Sequence, residues 1–142
     1  MSTGMTVPRV LVVDDDQVIV WIIQRALSKR GFEIVTASTG EEGIERAHQL
    51  PPDLVVLDIM LPGLDGYAVC RMLKSDPATS AAKVILLSAR GTPEEMAAES
   101  AARKAQEGSN GNHTLADGYL TKPVAITQLV EAVEQLLGVR LA

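Results

Sequence analysis

One cysteine, Cys70, is the whole thiol content, so no disulfide can close within the chain. That fits a reducing compartment, and a cytoplasmic location is expected. Aromatics make up only 3% of the residues, so aliphatic packing must build the core. Basic residues are outnumbered, thirteen against eighteen acidic, for a net charge of −5. Backbone-phosphate binding needs a concentrated basic surface, and no direct nucleic-acid partner is expected. No apolar run reaches the length of a membrane span, so no membrane partner is expected either. The start, Met1 to Thr6, lacks the apolar stretch of a signal peptide. Residues 1–8 read as a disordered tail ahead of one domain over 9–142.

What is present is an alternation of strand and helix signals. Strands are expected over about Arg9–Asp14, Glu33–Ala37, Asp53–Asp58, Lys83–Leu87 and Gly118–Thr121. Helices fit between them. Asp16 is placed to N-cap the first, which stops at Gly31. Ser38 and Thr39 each precede a glutamate by three residues, a capping-box signature for the second. Pro51-Pro52 ends it. Asp65 opens the third, and Thr92-Pro93-Glu94-Glu95 the fourth, to roughly Glu107. The fifth carries Ile126, Leu129, Val130, Val133, Leu136 and Leu137 on one stripe, with Gly138 as its stop. Five βα units imply right-handed crossovers and a doubly wound parallel α/β sheet, flavodoxin-like (βα)5, of order 2-1-3-4-5.

Charged groups stand where those strands end. Asp14 and Asp15 follow Val10-Leu11-Val12-Val13, Asp58 follows Leu54-Val55-Val56-Leu57, Ser88 ends the fourth strand and Lys122 follows the fifth. Ligands of such sheets bind at the carboxyl edge, beside the switch point between the first and third strands. Clustered carboxylates repel and need a cation. A hard divalent ion with oxygen ligands fits, and Mg²⁺ is the usual one beside phosphate. The hydroxyl and ammonium suit phosphoryl oxygens on Asp58, because phosphoryl transfer is mainly positioning plus electrostatics.

Four motifs now stand in order: Val12-Val13-Asp14-Asp15-Asp16, Leu57-Asp58-Ile59-Met60-Leu61-Pro62-Gly63-Leu64-Asp65-Gly66, Leu86-Leu87-Ser88-Ala89 and Tyr119-Leu120-Thr121-Lys122-Pro123. With them the chain resembles the receiver domain of a two-component response regulator, from about Arg9 to Leu137. The resemblance implies a regulatory phosphoacceptor rather than an enzyme. Asp58 would take its phosphoryl group from a phosphohistidine on a sensor histidine kinase or phosphotransfer protein. Asp15, Asp58 and the Met60 carbonyl would bind Mg²⁺ directly, with Mn²⁺ able to substitute, and Asp14 mostly through a water. Ser88 and Lys122 would bind phosphoryl oxygens. Tyr119 would change rotamer on activation, though ordinary packing suits it equally. Lys122-Pro123 would be cis. Met60 and Arg90 lie two positions beyond Asp58 and Ser88, where they would border the path of hydrolytic water and slow phosphate loss. The output would be a downstream protein target or a self-dimer, through the surface of the fourth helix, fifth strand and fifth helix.

Other residues read more plainly. Cys70 is expected to be a small core hydrophobe, and Trp21 to pack within the fold, with a partly exposed contact as its other reading. His48 and His113 lack neighbouring ligand types, so a metal role is not expected. Ser88 to Lys122 spans 34 positions, longer than receivers usually need. The addition is an Ala-rich extension of the fourth helix, Met96–Gln106, and a loop composition, Gly108–Thr114. Nothing follows Ala142, which leaves a stand-alone receiver or an excised piece as the expectation, without an output domain. Two other functions fit parts of the pattern. A haloacid-dehalogenase-type phosphatase also places an acidic motif after its first strand, but it leaves Asp58 unexplained. A phosphorylation-independent binding module of the same fold would typically have lost pocket acids or the lysine.

Overall fold

The computed structural model describes residues 7–89, 92–106 and 116–138. Arg90, His113 and the Gly108–Thr114 segment lie outside the described residues, as does most of the expected tail. Five strands alternate with five helices: β1 (Arg9–Val13), α1 (Gln17–Lys29), β2 (Glu33–Ala37), α2 (Gly40–Gln49), β3 (Leu54–Asp58), α3 (Gly66–Ser75), β4 (Lys83–Ser88), α4 (Pro93–Gln106), β5 (Gly118–Thr121) and α5 (Ile126–Leu137). All pairings are parallel and the order is β2-β1-β3-β4-β5, as expected.

Strand alternation sorts the core into two layers. Leu11, Val13, Val55, Leu57, Val84 and Leu86 face one side, packed with Val69, Cys70 and Leu73 of α3. Val10, Val12, Leu54, Val56, Ile85 and Leu87 face the other, with Val20, Ile23 and Leu27 of α1 and Leu129, Val130 and Val133 of α5. Cys70 is buried, which pushes its thiol up to about 11. It is core, not a reactive group.

The caps form where their residue types require them. Asp16 accepts from the Val18 amide at 3.0 Å, and Asp65 from the Ala68 amide at 2.9 Å. Thr39 accepts from the Glu42 amide, while the Glu42 carboxylate turns back to the Ser38 amide. Thr92 and Glu95 make the fully reciprocal box, at 3.1 and 2.8 Å. Gly31 and Gly138 take the left-handed backbone that ends α1 and α5. Among the described side chains of the Ala-rich helix, Met96 is the one that reaches the core.

Trp21 departs from the packed reading and follows the exposed one. Val20, Ile23 and Leu27 occupy the α1 face against the sheet, and Trp21 is turned outward, 59% exposed. Its ring lies under the Arg25 guanidinium, 5.4 Å from centroid to carbon. The run Val18–Ile23 has more apolar surface than one helix face can bury.

Candidate functional site

The parallel register brings three strand ends together. Val13 of β1 pairs with Leu57 of β3, and Asp58 with Leu87 of β4. The next residue after β1 is therefore level with the end of β3. Carboxylate oxygens of Asp14, Asp15 and Asp58 all lie within 4.8 Å of one another. Asp14 and Asp58 are buried and Asp15 is exposed. Asp14 is held from both ends: one oxygen accepts the Asp16 amide at 2.9 Å, the other meets Lys122 Nζ at 2.9 Å. Asp58 accepts the Met60 amide at 3.2 Å and lies 3.5 Å from Lys122 Nζ.

The electrostatics follow from this crowding. Burial, and then the Asp14 charge, hold the Asp58 carboxyl above the usual aspartate range, against the pull of Lys122 and the Met60 amide. Burial alone would lower Lys122, but its Asp14 hydrogen bond and the two carboxylate charges outweigh that and raise it. Three carboxylates crowded around one ammonium suit a small, hard cation.

Backbone devices hold the remaining groups. Ser88 is buried at the end of β4, and its carbonyl accepts the Lys122 amide at 2.8 Å. The Lys122-Pro123 peptide is cis. Gly63, at φ +77°, makes the turn after Asp58. Gly66 starts α3 so close to β3 that a Cβ there would meet the Asp58 carbonyl at 2.5 Å. Tyr119 is half-buried on β5 and packs against the α3-side core. Met60 stands 57% exposed beside Asp58.

Sequence reasoning brought Asp14, Asp15, Asp58, Ser88 and Lys122 to one edge, and they lie there. It did not foresee the neighbourhood on the α4 side. A groove of about 760 Å³ runs from Asp15, Met60 and Ser88 past Asp65 to Glu95 and Met96. The α4 capping box is the sequence signal that bears on it, since it fixes Glu95 in the first turn of the helix.

Residues 10–134 match the family model of the response regulator receiver domain. The chain belongs to that family. Among curated relatives, the transcriptional regulatory protein PrrA of Mycobacterium tuberculosis is 39% identical, over 96% of this chain and 53% of PrrA. The DNA-binding dual master transcriptional regulator RpaA of Synechocystis is 35% identical, over 92% of this chain and 49% of RpaA. Among solved structures, the BeF3-activated receiver domain of DrrB, from Thermotoga maritima, matches with a TM-score of 0.73 at 29% identity, over 94% of this chain and 99% of that one.

This chain is thus a receiver domain, a regulatory module of two-component phosphorelay signalling. It spans about half the length of the curated relatives it matches. The expectation of no nucleic-acid partner is corrected here: these relatives are transcriptional regulators, one of them named as DNA-binding. The acidic balance describes the surface of one domain, and the relatives have about as much chain again. Among the described residues, no helix is long and apolar enough to cross a membrane.

Proposed function

We propose that Asp58 is the phosphoacceptor of this receiver, phosphorylated from a phosphohistidine of a sensor kinase. The observation behind this is the position of Asp58: buried at the end of β3, within 4.8 Å of two further carboxylates and 3.5 Å from an ammonium. An Asp58 oxygen attacks phosphorus, the P–N bond to the imidazole breaks, and an acyl phosphate forms. Asp14, Asp15, Asp58 and the Met60 carbonyl are the groups to hold Mg²⁺ or Mn²⁺. Bound there, the ion would neutralise charge on the phosphoryl oxygens. Lys122 and the Ser88 hydroxyl then bind phosphoryl oxygens from the β4 and β5 side. Met60 and Arg90 shield the acyl phosphate from water.

The new charge draws Ser88 and the loop after β4 inward, and Tyr119 turns to fill the space. The surface of α4, β5 and α5 then shifts between two populations. The DrrB receiver, a structure named as BeF3-activated, supports a small group bound at the receiver site as the trigger. The relatives' names support transcription control as the process served. The receiver unit is taken as residues 9–142.

The test is mass spectrometry after treatment with acetyl phosphate and Mg²⁺. The wild type should gain one phosphate and Asp58→Asn none. Equal labelling of the variant, with no migration to another residue, would sink the assignment.

A further inference from the structure

The residue two positions past Asp58 is a methionine, and its backbone ties it to the site. The Met60 amide donates to an Asp58 oxygen at 3.2 Å. Its side chain is 57% exposed and lines the groove that Asp15 and Ser88 also line. The backbone is held while the side chain stands open to small molecules. A thioether is apolar and a weak hydrogen-bond acceptor. Two-electron oxidants convert it to a sulfoxide, which is polar and accepts strongly.

The methionines among the described residues have three different settings. Met96 is 3% exposed and packs in the core, so a sulfoxide there would disrupt packing. Met72 is 42% exposed on α3 and does not line the groove beside Asp58. Met60 combines access with a place next to Asp58. It buries little, so oxidation there takes nothing from the core and changes only what faces the site. The chain's single thiol does not compete for oxidant. Cys70 is buried and its thiol is pushed up to about 11, which leaves little of the reactive thiolate.

We propose that Met60 is an oxidation switch on the lifetime of the acyl phosphate: hydrogen peroxide converts its thioether to the sulfoxide, and phosphate is then lost faster. The switch rests on the reading of Asp58 as phosphoacceptor and Met60 as its shield. In the oxidation, sulfur attacks one peroxide oxygen and the O–O bond breaks. Sulfur gives up two electrons, and the second oxygen leaves as water with both protons. The oxygen left on sulfur accepts a hydrogen bond from water in the groove, where the thioether held water off, and orients it toward phosphorus. Hydrolysis breaks the bond between phosphorus and the Asp58 oxygen, returning the carboxylate and inorganic phosphate. Reduction of the sulfoxide by methionine sulfoxide reductases resets the lifetime. The receiver thus holds a phosphoryl signal for less time under oxidising conditions.

The test treats the whole chain with hydrogen peroxide, removes the peroxide, labels with radioactive acetyl phosphate and Mg²⁺, and follows decay of the label once the donor is gone. Peptide mass spectrometry sets a dose at which Met60 and Met72 gain oxygen and Met96 does not. Phosphate loss should be about three- to tenfold faster than in untreated protein, and methionine sulfoxide reductases for both epimers should restore the slower rate. Met72→Leu should respond to peroxide like the wild type. Met60→Leu offers no sulfur there, and its rate should be the same with and without peroxide. A Met60 that stays unoxidised while Met72 reacts overturns the proposal. So does an unchanged rate after oxidation, or a Met60→Leu variant that accelerates as the wild type does. Met60→Gln separates the switch from the reading beneath it. If Met60→Gln loses phosphate faster and the oxidised wild type does not, the shield stands and the switch falls. If neither departs from the untreated rate, the shield itself falls, and absence of label at Asp58 removes the acceptor; both outcomes overturn the switch as well.

Discussion

The Lys122 ammonium lies closer to Asp14 than to Asp58, 2.9 against 3.5 Å. The protein's own cation therefore sits between the two buried acids, favouring the one that is not the proposed acceptor. A phosphoryl group on Asp58 would offer Lys122 new oxygens, and Asp14 would need another positive partner. On the proposed function, the site would link lysine, metal and phosphoryl group in one charge balance.

Removal of Lys122 should expose that balance. Lys122→Ala leaves two buried carboxylates facing each other and is expected to cost about 1–3 kcal/mol of stability with a chelator present. Millimolar Mg²⁺ should restore part of the loss. Urea unfolding in both conditions measures it, and unchanged stability without metal would mean that Lys122 balances nothing.

Metal should stabilise the wild type by mass action, by about 2.7 kcal/mol at a hundredfold excess over its dissociation constant. Asp15 is exposed, so Asp15→Ala should leave the metal-free fold intact and shrink the response. Thermal melts with and without Mg²⁺ decide this. An Asp15→Ala response as large as the wild type's would remove Asp15 from the ligand set.

Phosphate loss should be slow for a receiver. Met60 projects from the turn after Asp58 and is apolar, so it neither orients nor admits a water molecule readily. Met60→Asn with Arg90→Ala is expected to shorten the acyl-phosphate lifetime about tenfold. Radiolabel decay after removal of the donor reads the rate directly, and an unchanged rate would refute the shielding role.

His48 should give stability a pH dependence of known sign. Its Nδ1 lies 2.9 Å from the Ile44 carbonyl and its Nε2 2.6 Å from Asp76. Both partners accept, so only the imidazolium satisfies both. The Asp76 hydrogen bond, above all, raises His48 from its ordinary value. A raised histidine contributes fully below about pH 6.5 and loses that contribution as pH rises through the folded value. Asp76 is lowered, first by the Ala78 amide and then by His48. Its contribution is present above the usual aspartate range and fades as pH falls through the folded value. His48→Gln should therefore lower the melting temperature near about pH 5.5 and leave it unchanged near about pH 9. Parallel profiles for variant and wild type would show that the contact does not titrate with folding.

The fold was legible because its signals are local. β-branched runs, reciprocal caps and glycine stops depend on neighbours within a few residues, and the element bounds follow them closely. The strand-end acids were legible because parallel topology sends every strand's carboxyl end to one edge. Contacts between distant segments were not legible. Arg30 meets Glu134 across 104 positions, and Lys74 meets Asp117 across 43. Nothing local marks either pair. The packed reading of Trp21 failed for a related reason: periodicity says which side of α1 is richest in apolar groups, not which side the sheet will cover. The nucleic-acid expectation failed because net charge averages over whatever length of chain is given.

Gly66 limits how this chain can change. By intrinsic preference alone, alanine at a helix position is better than glycine by about 1 kcal/mol. Here its methyl group would press on the Asp58 carbonyl and on Ile59 Cα, at 2.5 and 2.6 Å. Both contacts are backbone, so no rotamer relieves them. The start of α3 or the end of β3 would have to move, and with it the carboxylate. A mutation that improves the helix on paper would shift the aim of the proposed acceptor. In a lineage of such chains, drift at this position would be tolerated only where the aim of the Asp58 carboxylate does not matter.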